Sequence, residues 1–176
     1  MTDNTELLAL SDEKLLAQCE IHIYRASGPG GQHRNKVSSA VRLKHKPTDI
    51  TAQGEGSRSQ HTNKRAALAI LRMKFACQLR DPVTSHDQKP PEEVSECMVT
   101  SRDGLSRLVL GKKNSRLWSV IAYLLDLLEY FEGQVSQAAA HLGVPTSNFI
   151  KILKIDRHGF TAAQNIRKAH NQKPLH

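Results

Sequence analysis

The sequence predicts an α+β protein in which one long helix covers a small antiparallel or mixed sheet, and a mostly helical region follows. Three patterns predict this class. Apolar and polar residues alternate over residues 20–25 and 39–46, as in half-buried strands. Apolar residues recur at helical spacing over residues 59–80, and a strongly apolar segment after residue 115 fits a buried helix.

Three strands are predicted before residue 55. The first is EIHIYR (residues 20–25) and the second is SSAVRLKHKP (residues 38–47), with a glycine-rich loop between them. A turn at residues 47–49 leads into the third strand, ITAQ (residues 50–53). Consecutive strands are usually neighbours in space, so these three are expected to form one sheet.

Two serines are suited to cap helices. Ser11 precedes a short helix with two acids in its first turn, and Ser59 precedes the long helix of residues 59–80. Basic side chains of the long helix fall mostly off its apolar stripe, so we expect it to cover the sheet and expose a basic surface. The predicted stripe consists of Leu68, Leu71, Phe75 and Leu79.

Proline and polar residues predict a domain boundary. Residues 81–93 contain three prolines and few apolar residues, which is typical of a linker. The linker would separate a domain of residues 1–80 from a mainly helical region of residues 94–176. That region is expected to begin with a hairpin turning at Asp103-Gly104 and to continue with a buried helix over residues 115–131.

Residues 134–154 fit two short helices joined at Gly143, the arrangement of a helix-turn-helix. In one hypothesis the pair belongs to a DNA-binding regulator, with Ser147, Asn148 and Lys151 at base edges. In the other, the pair packs against the preceding apolar helix, which the small number of arginines here favours. The inward-facing residues would be Val135, Ala138, Ala139, Leu142, Phe149, Ile150 and Leu153.

The positive charge is concentrated in one third of the chain. The net charge is +8, yet residues 20–80 carry 12 Lys and Arg against three acids, a net +9. A segregated basic segment indicates a polyanionic partner such as nucleic acid.

Other features exclude whole classes of protein. No apolar run reaches the roughly 18 residues that span a bilayer, and the acidic start lacks the pattern of a signal peptide. Cys19, Cys77 and Cys97 have no CxxC spacing, which predicts reduced thiols and a cytoplasmic location. The nine histidines are scattered without the spacing of a metal site, so we expect no metal and no cofactor.

The loop RASGPGGQHRNK (residues 25–36) holds three glycines and a proline. A loop tip without Cβ atoms suits a backbone that must enter a narrow cavity. No Asp or Glu occurs between Glu20 and Asp49, so the loop contains no carboxylate base. It offers instead the backbone N–H of Gln32, which can stabilise a developing oxyanion without proton transfer by the protein.

This loop, together with SSAVRLKHKPT and SRSQHTNKRAALAILR, closely resembles the catalytic domain of class I peptide chain release factors, from about Glu20 to Leu79. The resemblance implies a small α/β domain whose loop enters the peptidyl transferase centre of the large ribosomal subunit and promotes hydrolysis of the peptidyl-tRNA ester. Residues 94–176 do not resemble the codon-recognition domain of those factors. A stand-alone, stop-codon-independent factor similar to ribosome-rescue hydrolases is therefore implied.

The resemblance also assigns roles to single residues. Gly30, Gly31 and Gln32 would form the catalytic tip, and Gln32 would stabilise the transition state and position water. This glutamine is N5-methylated in related proteins, so a glutamine methyltransferase is an expected partner. Arg34 stands where the family usually has a small apolar residue. RNA contacts are expected from Arg25, Ser27, His33, Arg34, Asn35, Lys36, Arg42, Arg58, Ser59, Gln60, Asn63 and Lys64.

Three functions remain open from the sequence: a ribosome-dependent peptidyl-tRNA hydrolase, a ribosome-binding assembly or quality-control factor, and a DNA-binding regulator using residues 134–154. The intact Gly-Gly-Gln favours the first, because a protein that only binds has no need of a glycine tip. The basic charge lies far from residues 134–154, which argues against the third.

Overall fold

The structure is a computed structural model that describes residues 3–25, 38–85, 88–102 and 104–175. The chain divides into two compact units. The first comprises residues 9–75, and the second comprises residues 3–8 together with the chain from residue 76 onward. A small antiparallel sheet and a helical C-terminal part confirm the predicted α+β class.

The first unit is built around a three-stranded antiparallel sheet in the order β1-β2-β3. Ser11 caps α2 as predicted, because its Oγ accepts a hydrogen bond from the backbone N–H of Lys14 at 3.3 Å. The long helix begins at Gln60 and ends at Gln78, so Leu79 lies beyond it. The first helix of the chain, α1 (Asn4–Ala9), lies almost wholly in the second unit. The first unit contains α2 (Asp12–Ala17), β1 (Cys19–Tyr24), β2 (Ala40–His45), β3 (Thr51–Gly54) and most of α3 (Gln60–Gln78).

The core of this unit comes from β2, β3 and α3, whereas β1 contributes less than its alternation predicts. Ile21 and Ile23 lie opposite Leu43 and Val41 in the antiparallel register, yet they remain 42% and 51% exposed. The predicted strand is confirmed, but its predicted half-buried face is wrong. The reason is position: β1 is an edge strand of the sheet, whereas its partner β2 lies at the centre. The residues at the centre are buried: Val41, Leu43, His45, Ala52, Ala67, Leu68, Leu71 and Phe75.

The second unit consists mainly of helices around the apolar α5, which is buried from residue 120 to 128. The predicted hairpin is confirmed: β4 and β5 pair antiparallel, with Met98 opposite Leu108. Gly104, near the turn, has a positive φ of 76°. The elements are α4 (Glu92–Ser95), β4 (Met98–Thr100), β5 (Ser106–Leu108), α5 (Leu117–Tyr130), α6 (Val135–Leu142), α7 (Thr146–Leu153) and α8 (Arg157–Ala169).

The predicted helix pair is present as α6 and α7, separated by a left-handed Gly143 with φ 71°. All four inward residues predicted for α6 are buried. In α7 Phe149 and Leu153 are buried and the half-buried Ile150 packs against the core, while Ile152, which was not predicted, is 2% exposed. Phe149, Ile152 and Leu153 follow the i, i+3, i+4 spacing of a single helical face, which places Ile150 at the margin of the core.

Part of the predicted linker packs into the second unit. The Asp81 carboxylate accepts hydrogen bonds from the backbone N–H groups of Asn4 and Thr5, both at 2.8 Å. Two residues further on, Val83 is buried. This stretch is therefore held in place by its own side chains.

The three cysteines form no disulfide. Burial raises the pKa of each thiol, and it raises that of Cys77 to about 11, so all three are protonated at neutral pH. Within the described ranges, no helix combines the length and the apolar character needed to cross a membrane.

Candidate functional site

The two ends of the glycine-rich loop are brought together by the sheet. Strands β1 and β2 pair antiparallel up to Tyr24 opposite Ala40, so the exposed Arg25 and the pair Ser38 and Ser39 lie at one end of the sheet. Residues 26–37 connect these two points. The predicted site residues Ser27, Gly30, Gly31, Gln32, His33, Arg34, Asn35 and Lys36 lie outside the described residues.

Asn63 joins the end of the loop to the long helix. Its side chain is buried, with the residue 1% exposed. Nδ2 donates hydrogen bonds to the carbonyl oxygens of Ser39 at 2.7 Å and Ser57 at 2.8 Å, and Oδ1 accepts from the Ser57 N–H at 2.9 Å. Both amide atoms are thus used inside the unit, so the side chain positions residue 39 and does not face an external ligand.

Gln60 makes a second link on the outside of the same junction. Its Nε2 donates to the carbonyl oxygen of Ser38 at 2.8 Å. Ser59 caps α3 as predicted, because its Oγ accepts from the backbone N–H of Thr62 at 3.3 Å. Residues expected to contact RNA therefore also hold the last residues of the loop segment against the start of the helix.

Gly54, at the end of β3, allows the long helix α3 to pack closely against this strand. A Cβ atom added at Gly54 would lie 2.1 Å from the carbonyl oxygen of Asn63 and 3.1 Å from the nitrogen of Ala67. Only glycine leaves room for such an approach between strand and helix backbones. The position of Asn63 is therefore fixed from both sides, by the sheet below it and by the loop end that it bonds.

Arg42 lies on the outer face of the sheet and is held there by its neighbours. Its guanidinium is 5.2 Å from the centre of the Tyr24 ring. With the Gln53 amide turned so that its oxygen faces the guanidinium, that oxygen accepts from Nε at 2.8 Å and Nη2 at 3.0 Å. The Tyr24 hydroxyl donates to the Glu55 carboxylate, and burial and this carboxylate raise the pKa of Tyr24. Arg42 remains exposed, so its charge is available in a fixed place.

Several cations around the loop ends have no acidic partner. Lys44 pairs with Asp49 at 2.8 Å, and Arg72 pairs with Asp12 at 2.6 Å. Among the described residues no carboxylate lies within ion-pair distance of Arg25, Arg58 or Lys64. Unpaired cations beside a loop that is rich in polar groups favour binding of phosphates.

The chemistry available in the described part of this unit is limited. His45 is buried and held between Gln18 Oε1 at 2.9 Å and Thr48 Oγ1 at 2.8 Å, and burial lowers its pKa, so it is a neutral, structural histidine. Glu55 is engaged by Tyr24. In the described ranges no group of three or more potential metal ligands occurs.

The structure adds residues that the sequence did not single out. Tyr24 and Gln53 contact Arg42, Glu55 bonds Tyr24, and Gly54 leaves room for the helix. The signal for Gly54 was a glycine directly after an alternating strand, which often marks a close backbone approach. The others carry no sequence signal, since they become neighbours only when strands pair.

In the second unit Asn148 does not have the place that the DNA-binding hypothesis requires. Its Oδ1 accepts from the backbone N–H of Leu108 at 2.8 Å, and its Nδ2 donates to the Leu108 carbonyl at 3.0 Å. The amide is therefore bonded to the edge of β5. Ser147 and Lys151 are exposed on the same helix.

Comparison with known proteins relates the first half of the chain to one family. Residues 13–108, more than half of the chain, match the family described as the RF-1 domain. Peptide chain release factor 1 of Leptothrix cholodnii is 42% identical over 92 residues, which are 52% of this chain and 24% of the relative. The same factor of Erythrobacter litoralis is 44% identical over 91 residues, 51% of this chain and 24% of the relative.

Peptide chain release factor 2 of Neisseria meningitidis serogroup C is 55% identical over 59 residues, which are 34% of this chain and 16% of the relative. This chain thus spans about a quarter or less of the length of these curated relatives. The similarity covers the sheet, the long helix and the loop ends described above.

Proposed function

Since this chain belongs to the RF-1 domain family, we propose that it hydrolyses the ester bond of peptidyl-tRNA on the ribosome and does so without reading a stop codon. The observation that carries the proposal is the double anchoring of the loop end. Gln60 and Asn63 bond the carbonyl groups of residues 38 and 39, so the segment that carries Gly-Gly-Gln ends at residues that are held against the long helix.

In the proposed reaction a water molecule attacks the ester carbonyl carbon. The backbone N–H of Gln32 donates a hydrogen bond to the oxyanion that develops in the transition state. The bond between the carbonyl carbon and the tRNA oxygen then breaks, and this departing oxygen takes up the proton that water loses and becomes the tRNA hydroxyl. The Gln32 side chain positions the water, while Gly30 and Gly31 let the backbone approach RNA closely.

This mechanism assigns no proton transfer to the two titratable groups that the described part of the unit holds in hydrogen bonds near the sheet, His45 and Glu55. The histidine that is buried in the unit is neutral and bonded on both sides, and Glu55 is engaged by Tyr24. In the proposal, proton movement falls to water and to the substrate, inside the peptidyl transferase centre. N5-methylation of Gln32 by a glutamine methyltransferase would leave its backbone N–H available for this role.

Docking on ribosomal RNA is the proposed role of the basic residues around the loop. Arg25, Arg42, Arg58 and Lys64 are not buried, and they lie in the unit that carries the basic excess. The residues of the loop itself that match the family motif would add further contacts. Such binding should weaken steeply with salt, because each phosphate contact releases a counterion.

Peptide release from purified ribosomes that hold peptidyl-tRNA tests the proposal. The wild-type protein is expected to release peptide from complexes with truncated mRNA and from complexes with a sense codon in the empty A site, at similar rates. Gln32→Ala and Gly31→Val should bind ribosomes but release poorly, since Val adds a branched Cβ at the tip. Gln78→Ala, at the exposed end of α3, is the matched control and should release normally.

Two results would contradict the proposal. If the wild-type protein and both loop variants bind ribosomes and are equally inactive, the protein is a binding factor and not a hydrolase. If release requires a stop codon in the A site, hydrolysis stands but codon independence does not.

A further inference from the structure

We propose that the second unit has an RNA-binding surface of its own, formed by β5, the segment that follows it, α7 and the start of α8. We call this surface the basic ridge. It consists of Arg107, Lys112, Lys113, Lys151, Lys154 and Arg157. The choice of RNA as the partner rests on the proposed function, whereas the surface itself rests on the contacts and charges below.

Two contacts place the β5 segment alongside α7. At one end, the Asn148 side chain makes paired hydrogen bonds with the backbone of Leu108, at 2.8 and 3.0 Å. At the other end, the Lys112 ammonium lies 3.9 Å from the carboxylate of Asp156, just after α7. These two contacts, at Leu108 and at Lys112, hold the β5 segment against α7 and the residues that follow this helix.

Lys151 and Lys154, the C-cap residue of α7, lie on one exposed side of this helix. Ser147, Lys151 and Lys154 follow the i, i+4, i+7 spacing of a single helical face, and all three are exposed. Asn148, which faces β5, is only three residues from Lys151. Lys151 is therefore close to the edge of the helix that contacts β5.

Charges in this unit are strongly segregated. Residues 98–116 and 146–158 contain eight of the 13 Lys and Arg residues in the second unit, but only two of its 12 acids. Glu96, just before the first stretch, pairs with Arg116, and most of the other acids lie elsewhere in the unit, so the total charge of the unit is close to zero. A surface that mixed both signs would need no partner, whereas segregation of this kind indicates a polyanion.

Most of the ridge is not neutralised. Lys112 shares Asp156 with His158, and Lys154 lies 5.5 Å from the centre of the Phe160 ring. In the described part of the chain, no carboxylate lies within ion-pair distance of the other four cations of the ridge. These four are fully available to phosphates: Arg107, Lys113, Lys151 and Arg157.

The ridge fits a phosphate backbone better than base edges. Asn148, the amide that would be suited to read a base, is already bonded to Leu108 on both of its polar atoms. The remaining exposed groups are mainly lysines, which bind phosphates as point charges. We therefore expect binding that depends on salt and has little sequence preference.

The test compares two double variants of the full-length chain. Lys113→Ala/Lys151→Ala removes two cations of the ridge, and Lys89→Ala/Lys173→Ala removes two exposed lysines outside it. Binding to a short fluorescent RNA duplex, and to purified large ribosomal subunits, is measured by anisotropy and by sedimentation over a range of salt concentrations. The slope of log K against log salt should fall by about one for each ridge lysine that contacts a phosphate.

We expect the ridge variant to bind RNA at least about tenfold more weakly than the control variant at 0.1 M salt, with a slope lower by about two. Equal affinities and equal slopes for the two variants would overturn the ridge. A larger loss of binding to duplex DNA of the same sequence than to RNA would overturn RNA as its partner.

Peptide release, measured in parallel, separates this proposal from the proposed function. A wild-type protein that releases no peptide, but whose RNA binding depends on the ridge lysines, leaves the ridge standing and removes the hydrolase. Normal peptide release, together with RNA binding that does not depend on the ridge lysines, leaves the hydrolase standing and removes the ridge.

Discussion

Replacing Asn63 by alanine should destabilise the first unit more than any other single loss of an amide side chain in it. The substitution removes three hydrogen bonds to backbone groups of Ser39 and Ser57, with lengths of 2.7 to 2.9 Å. At about 1 kcal/mol net for each bond, the free energy of unfolding should fall by about 3 kcal/mol. For a chain of this size, that corresponds to a fall of about 6–12 °C in Tm.

The measurement is unfolding in guanidinium chloride followed by circular dichroism, together with amide hydrogen exchange at Ser57, whose N–H loses its acceptor. Asn165→Ala is the matched control, because Asn165 is an exposed asparagine on a helix. It should change the free energy of unfolding by less than about 0.5 kcal/mol.

Asn63→Asp separates the contribution of the two hydrogen bonds that Asn63 donates from that of the one that it accepts. A carboxylate keeps the acceptor for the Ser57 N–H but faces the Ser39 and Ser57 carbonyl oxygens, so burial and these oxygens should raise its pKa. The folded state then holds its proton more tightly than the unfolded state, and stability should recover as the pH falls and be lost as the pH rises. If Asn63→Ala lies within 0.5 kcal/mol of the wild type, the anchoring argument is refuted.

Further predictions concern the same unit. Gly54→Ala should lower the free energy of unfolding by about 3 kcal/mol or more, because the added Cβ would lie 2.1 Å from the Asn63 carbonyl oxygen. Gly56→Ala is the control: its added Cβ has no atom within 4 Å, so the same denaturation assay should show no change. Gln60→Ala loses one exposed hydrogen bond at 2.8 Å, so stability should fall by about 1 kcal/mol or less. The rate of peptide release by bound protein should fall as well, and an unchanged rate would show that this link does not serve the loop. Burial lowers the pKa of His45, so the unfolded state takes up a proton first and the free energy of unfolding should fall below about pH 6.5. His45→Gln should flatten that pH dependence, and a profile that keeps its slope would assign the effect to other groups.

Local patterns allowed most elements to be predicted. The N-caps Ser11 and Ser59, the three strands, the β4–β5 hairpin and the α6–α7 pair all depend on residues within a few positions of one another. A single sequence is enough to detect such signals, because helix and strand periodicities are local properties. The errors at Ile21 and Ile23 have the opposite origin, since exposure of an edge strand depends on how distant segments pair.

The sequence by itself determined the chemistry that the loop can offer: a Gly-Gly-Gln tip without carboxylates, in a basic segment that resembles release factors. Only the tertiary structure decided which residues hold the ends of that loop. Asn63 and Gln60 meet residues 38 and 39 across more than 20 positions, and Lys112 meets Asp156 across more than 40. The composition of the chain gives the number of charged residues but not their positions in space. Folding separates acidic from basic residues, so the basic ridge became visible only in the folded protein.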